Sequence, residues 1–159
     1  MYDSFEDALK LVAQAGKSCF MVKRDLADAF RHIPIHPSDW WLMGFEWRGT
    51  LYHELFLPFG LRTAPRIFNY FAEGLHWILE SRGWGSVLHY LDDTLGVFPT
   101  RTLAEQFTLD YEAVCHQLGL SVKHAKDALG QVVDFLGLEI DSLQMEARLP
   151  VRKKTKALE

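Results

Sequence analysis

Cysteine is scarce, with only Cys19 and Cys115 among 159 residues. They stand far apart and without metal-ligand spacing, which excludes a disulfide framework and suits a reducing compartment. No apolar run approaches the about 18–20 residues of a membrane span. The opening Met1-Tyr2-Asp3-Ser4 lacks the basic flank and apolar stretch of a signal peptide, so an intracellular protein, cytoplasmic or nuclear, is expected. Basic excess is missing too. The net charge is −4, which speaks against a stand-alone nucleic-acid binder. Internal repeats and low-complexity linkers are absent. What is present, 48% hydrophobic and 24% charged residues, suffices for one core and one domain. Positive charge gathers only locally, at Lys23-Arg24, at Lys123 and Lys126, and in the tail Arg152-Lys153-Lys154 with Lys156. A solvated helix face also explains that tail.

The periodicity is mixed. Ser4 and Asp7 have capping-box spacing, Phe5, Ala8, Leu11, Val12 and Ala15 then recur at helical intervals, and Gly16 is a stop. Cys19-Phe20-Met21-Val22 reads as a buried strand running into Asp25. The runs Trp41 to Trp47 and Tyr52 to Phe56, parted by Arg48-Gly49-Thr50, predict a hairpin. Thr63 is placed to cap a helix with Pro65 in its first turn, striped by Ile67, Phe68, Phe71, Leu75, Ile78 and Leu79 and ended by Arg82-Gly83. A further helix carries Leu103, Phe107, Tyr111, Val114, Cys115 and Leu118 and stops at Gly119. Val132 to Ile140 reads as a strand, with Met145 to Leu149 as its partner. This order fits an α+β layer architecture with an antiparallel sheet and segregated helices, close to the split βαβ family.

The sharpest feature is Tyr90-Leu91-Asp92-Asp93, set between the strand-like runs Val87-Leu88 and Leu95-Gly96-Val97-Phe98. Adjacent carboxylates repel and raise each other's pKa. A divalent cation between them removes that cost. Magnesium takes oxygen ligands at about 2.0–2.1 Å and often only one or two protein carboxylates, with substrate phosphates and water completing its shell. Taken alone, the pair also reads as a solvated turn. A second acidic site follows the first strand, Asp25-Leu26-Ala27-Asp28-Ala29-Phe30. If that strand neighbours the hairpin, Asp25, Asp92 and Asp93 converge at one sheet edge. Such a cluster can hold two cations about 3.5–4 Å apart for in-line phosphoryl transfer. On its own, Asp25 reads equally as a strand-end cap.

At this point the chain resembles the retroelement reverse transcriptases. The first aspartate block is Lys23-Arg24-Asp25-Leu26-Ala27-Asp28-Ala29-Phe30-Arg31-His32-Ile33-Pro34-Ile35-His36-Pro37. A nucleotide-pocket block follows as Leu57-Pro58-Phe59-Gly60-Leu61-Arg62-Thr63-Ala64-Pro65-Arg66-Ile67-Phe68, and the metal hairpin as Leu88-His89-Tyr90-Leu91-Asp92-Asp93. Lys126 matches a later motif lysine, and Phe135-Leu136-Gly137-Leu138-Glu139-Ile140-Asp141 looks like the strand entering a primer-grip hairpin. Five blocks in order over residues 20–150 carry the resemblance. Phe30 to Pro37 and Leu57 to Pro65 are similar to DIRS-like elements, which also encode a tyrosine recombinase.

The resemblance implies a right-hand polymerase palm, a ferredoxin-like antiparallel sheet with helices on one face, carrying part of the fingers over residues 1–150. Residues 151–159 would begin a truncated thumb. It implies an RNA-directed DNA polymerase using two Mg²⁺ or Mn²⁺ ions, a primed RNA or DNA template and deoxynucleoside triphosphates. Asp25 and Asp92 would be the principal metal ligands and Asp93 the supporting one. Lys126 would protonate the pyrophosphate leaving group. Phe30 would pack against the sugar and leave no room for a 2′-hydroxyl, although ordinary core packing also accounts for it. Pro58, Phe59 and Gly60 would shape the pocket floor, with Phe59 standing where retroviral enzymes often have Gln. Arg62 and Arg66 could reach phosphate or template, or simply be solvated. Tyr90 would lie near the primer terminus. Lys123 replaces the family's asparagine.

Only residues 1–24 precede Asp25, and the chain ends where a basic helix would begin, so the expectation is a palm piece of a larger or truncated polyprotein. Fingers and thumb would carry most phosphate contacts, and their absence accounts for the acidic charge. No zinc site is expected among the seven histidines, since Pro34 breaks the helix that the spacing of His32 and His36 needs and no Cys or third His stands close. The aromatic residues read as core, with Trp40-Trp41 facing a neighbouring subdomain. Two rivals stay open. One is a non-catalytic palm remnant that serves as an interaction domain. The other is a ferredoxin-like RNA-binding module, which lacks its Lys/Arg-Gly-Phe-Gly-Phe pattern here.

Overall fold

The computed structural model describes residues 3–150. Helix α1 (Phe5–Ala15) begins at a complete capping box between Ser4 and Asp7 and ends where Gly16 turns with φ +88°. Strand β1 (Phe20–Asp25) follows, then 3₁₀ turns at Ala29–His32 and Pro37–Met43, and the hairpin β2 (Gly44–Trp47) and β3 (Thr50–His53). Helix α2 (Ala64–Ser81), the hairpin β4 (Val87–Tyr90) and β5 (Asp93–Phe98), and α3 (Arg101–Gln117) complete the middle. The end holds β6 (Ala128–Gly130), β7 (Val132–Phe135), β8 (Leu138–Asp141) and β9 (Glu146–Arg148). Residues 151–159 and the thumb expected there lie outside the described residues, as do residues 1–2.

The central sheet has the order β4-β5-β1-β6 and every pairing in it is antiparallel. Side chains alternate across a strand, and both faces of β1 are covered. Val22 and Leu26 meet α2 and α3 through Phe68, Leu75, Phe107 and Tyr111. Met21, with Leu95 and Val97 of β5, meets Ala8 and Val12 of α1 and Val133, Phe135 and Ile140 of the β7-β8-β9 sheet. The two long helices therefore share one face as expected, while α1 covers the other. The doublet Met21-Val22, apolar on consecutive residues, is why a second layer is needed. Gly96 is fixed by packing. A Cβ there would stand 2.7 Å from Phe98 Cε2 and 2.9 Å from Phe107 Cε1.

Four expectations need correction. The residues from Trp41 to Met43 are helical, because Pro37 opens a 3₁₀ segment capped by the His36 side chain, so the β2–β3 hairpin is shorter than the apolar run. The stretch Val132 to Ile140 is two strands, reversed at Leu136 and Gly137, both with positive φ. Thr63 precedes α2, but its side chain makes no capping hydrogen bond. The aromatic residues are only partly core. Trp41, Trp47 and Leu51 of the hairpin region are exposed, Leu51 by 81%.

Candidate active site

The last residue of β1 and the β4–β5 turn meet at one end of the sheet. Asp25 pairs in register with Asp93, and the Leu26 N–H donates to the Asp92 carbonyl at 3.1 Å. Side chains directly opposite in an antiparallel pair have Cβ atoms about 4.5–5.5 Å apart, and like charges so placed are destabilising. Two lysines offset this. Lys126 Nζ donates to Asp25 Oδ2 at 2.7 Å, and Lys23 Nζ lies 3.3 Å from Asp93 Oδ1. Lys126 is placed by the segment after α3, where Ala27 N–H donates to Ser121 O at 2.8 Å and Lys123 N–H to Asp25 O at 2.8 Å.

The turn itself is under strain. Leu91 has φ +54°, in the left-handed region that favours glycine. Its side chain packs against the α2–α3 core, which holds it there. Strain of this kind persists only where surrounding structure over-determines the conformation, and it concentrates at functional sites.

Asp25, only 2% exposed, lines a cavity of about 180 Å³ with Asp92, Asp28, Phe30, Phe59, Lys123 and Lys126. Burial raises the Asp92 pKa, and the charge of Asp25 raises it further against the pull of Lys126 and Lys23. Burial likewise raises Asp93, with Lys23 opposing. The hydrogen bond to Asp25 raises Lys126 and keeps it an ammonium. The Phe30 ring sits 5.3 Å from Phe59 and edge-on to Phe68 at 5.7 Å, so it is partly core and partly cavity wall. Phe59 is brought there by the pairing of residues 33–35 with 55–57, through Ile35 N–H to Leu55 O at 2.8 Å and Leu57 N–H to Ile33 O at 3.0 Å.

Of the residues singled out in the sequence, Asp25, Asp92, Lys126, Phe30 and Phe59 come together in this cavity. Asp93 faces Lys23 instead, and Pro58, Gly60, Arg62 and Tyr90 are not among the lining residues. Arg62 and Arg66 are exposed and make no ion pair with a described residue. Asp25, Asp92 and Asp93 are not, among the described residues, a set whose ligand atoms all lie within 4.8 Å of one another. Asp28 and Lys123 were missed as lining residues. Asp28 sits three positions after Asp25 in the same block with φ +50°, and Lys123 carried only the signal of a mismatch. The Lys23–Asp93 pair was legible in principle, since period-two alternation puts Lys23 and Asp25 on one face of β1.

The antiparallel palm sheet with acidic residues at one end is the architecture of right-hand polymerases. Residues 2–140 match the reverse transcriptase (RNA-dependent DNA polymerase) family, and the chain belongs to it. It is 26% identical over 140 residues to the Gag-Pro-Pol polyprotein of Mason-Pfizer monkey virus, covering 83% of this chain and 8% of that one. It is 30% identical over 86 residues to the Transposon Tf2-3 polyprotein of Schizosaccharomyces pombe, covering 54% of this chain and 6% of the polyprotein. The fold is similar to that of the foamy viral protease-reverse transcriptase solved in complex with RNA/DNA hybrid, with TM-score 0.77 at 23% identity over 100% of this chain. The chain spans 20% of that solved protein and under a tenth of the two polyproteins.

Proposed function

We propose that this chain is the catalytic palm, with part of the fingers, of an RNA-directed DNA polymerase encoded in a retroelement polyprotein. The observation that carries the reading is the cavity shared by Asp25 and Asp92, carboxylates delivered by separate strands, with Lys126 and Phe30 in its wall. Primed RNA or DNA template and deoxynucleoside triphosphates are the proposed substrates, and the site of action is intracellular. The RNA/DNA hybrid held by the foamy viral enzyme supports such a template. The blocks Phe30 to Pro37 and Leu57 to Pro65 support a DIRS-like element as the source.

The donor set suits Mg²⁺ or Mn²⁺. It is all carboxylate oxygen, the hard ligand these ions take, and the buried Asp93 Oδ1 has only its ion pair with Lys23. Asp25 and Asp92 would hold the ions, with Asp93 in support. When bound, two divalent cations supply activation of the attacking hydroxyl and charge stabilisation at the leaving oxygen. The residues of the chain do the rest. The primer 3′-hydroxyl gives its proton to solvent as its oxygen bonds the α-phosphorus, the bond from that phosphorus to the pyrophosphate oxygen breaks, and the Lys126 ammonium gives its proton to the departing pyrophosphate. Phe30 blocks the 2′ position of the incoming sugar. Phe59, held between Pro58 and Gly60, forms the pocket floor, while Arg62 takes phosphate or template and Tyr90 stands beside the primer end, both outside the cavity lining.

Mn²⁺ titration followed by electron paramagnetic resonance tests the metal reading. Binding is expected in the wild type and is lost in Asp25→Asn and in Asp92→Asn. Undiminished binding in both folded variants would remove the basis for this function.

A further inference from the structure

Away from the cavity, Asp3, His76 and His89 each bring one ligand atom to within 4.8 Å of the others. They come from three places, the segment ahead of α1, the middle of α2, and β4. The imidazoles meet through their Nδ1 atoms, 3.2 Å apart. Asp3 Oδ2 lies 3.8 Å from His89 Nδ1 and is anchored at 2.9 Å by the His89 backbone N–H. Glu80, one helical turn beyond His76, stands 3.3 Å from His76 Nε2. A carboxylate there draws the His76 proton to Nε2 and leaves Nδ1 with a bare lone pair, the arrangement that supports metal-ligating histidines. A tetrahedral ion with bonds of about 2.0–2.1 Å sets its ligand atoms roughly 3.3 Å apart, and no two ligands at that bond length exceed about 4.2 Å. The separations of 3.2 Å and 3.8 Å fall within that reach.

We propose that Asp3, His76 and His89 form a binding site for a zinc-class divalent transition metal, which pins the segment before α1 to α2 and to the strand leading into Asp92. Two imidazole nitrogens and one carboxylate favour such an ion over Mg²⁺, which prefers oxygen alone. Three protein ligands leave a fourth position open. A second cluster, Glu112, His124 and Asp127, matches in count but not in charge. The Arg24 guanidinium already binds Glu112 and Asp127 there, so an added cation would meet a fixed positive group. The Asp3 site uses neither Asp25 nor Asp92 and stands apart from the polymerase reading.

Titration of the chain with Co²⁺, read by the visible absorption of a tetrahedral site, tests the proposal. One equivalent is expected to give the tetrahedral spectrum, to be displaced by Zn²⁺ and to resist excess Mg²⁺, and Zn²⁺ raises the unfolding midpoint because it binds only the native state. His76→Gln and Asp3→Asn, both at partly exposed positions, abolish the spectrum in folded protein, and Glu80→Gln weakens binding about 10–100-fold. Asp92→Asn and His36→Gln leave it unchanged. A missing Co²⁺ spectrum, or one that survives in both His76→Gln and Asp3→Asn, overturns the site.

Discussion

At Asp92, burial and the neighbouring Asp25 hold the folded pKa above the ordinary aspartate value. The native state then keeps a proton that the unfolded chain releases. The stability tied to that proton is complete below the unfolded pKa, about 3.9, and is lost as pH rises through the folded value. At neutral pH without metal the ionised Asp92 therefore works against the fold. Asp92→Asn should raise the thermal unfolding midpoint at about pH 7, and the gain should shrink toward about pH 4. Melts across that range check it, and a lowered midpoint at neutral pH contradicts it. Phe30 carries a second expectation. In a polymerase with fingers and thumb, Phe30→Val should cut discrimination against ribonucleotides by about 10-fold or more while deoxynucleotide addition persists. Competitive incorporation assays measure this, and unchanged discrimination returns Phe30 to the core.

Among the elements, β1 does two jobs on its two faces. One face ends in Asp25 at the cavity, and the other carries Arg24, with 5% of its side chain exposed. Arg24 is tied to Glu112 of α3, lies 2.5 Å from Asp127 ahead of β6, and sits 5.8 Å above the Tyr111 ring. Arg24→Ala leaves two carboxylates facing one another. It should cost about 3 kcal/mol, the low end for a broken buried pair, because Glu112 is 40% exposed and solvent-screened. Urea denaturation reads this, and a loss under about 1 kcal/mol would mean the guanidinium does not join β1 to α3.

The elements legible in the sequence are those with local signals: the Ser4–Asp7 box, the stripes of α2 and α3, and the Asp92-Asp93 hairpin. Those misread lack such signals. Leu136-Gly137 turns a chain where Asn-Gly would have announced a hairpin, and β6 is too short to show a period. The cavity was legible only in part. Asp25, Asp92, Phe30 and Lys126 lie in family blocks, whereas the Lys23–Asp93 pair depends on register across strands far apart in sequence.

For the whole molecule, the chain spans 20% of the foamy viral protein whose fold it resembles. Holding primer, template and nucleotide in line can supply about 7–11 kcal/mol of a reaction barrier, and the surfaces that would do so are the fingers and thumb. On the β2–β3 hairpin the exposed Phe45, Trp47 and Tyr52 share one face, an apolar surface that such a neighbour would cover. The chain by itself should thus bind primer–template weakly, with strong salt dependence, and extend little. Robust synthesis by the purified chain would show that positioning by other subdomains matters far less than argued. The most direct test of the central claim is RNA-templated primer extension by this palm joined to fingers and thumb, with wild type beside Asp25→Asn and Asp92→Asn. Deoxynucleotide addition is expected, lowered in each variant by at least about 10²–10³-fold. Extension at the wild-type rate in folded Asp92→Asn would contradict it.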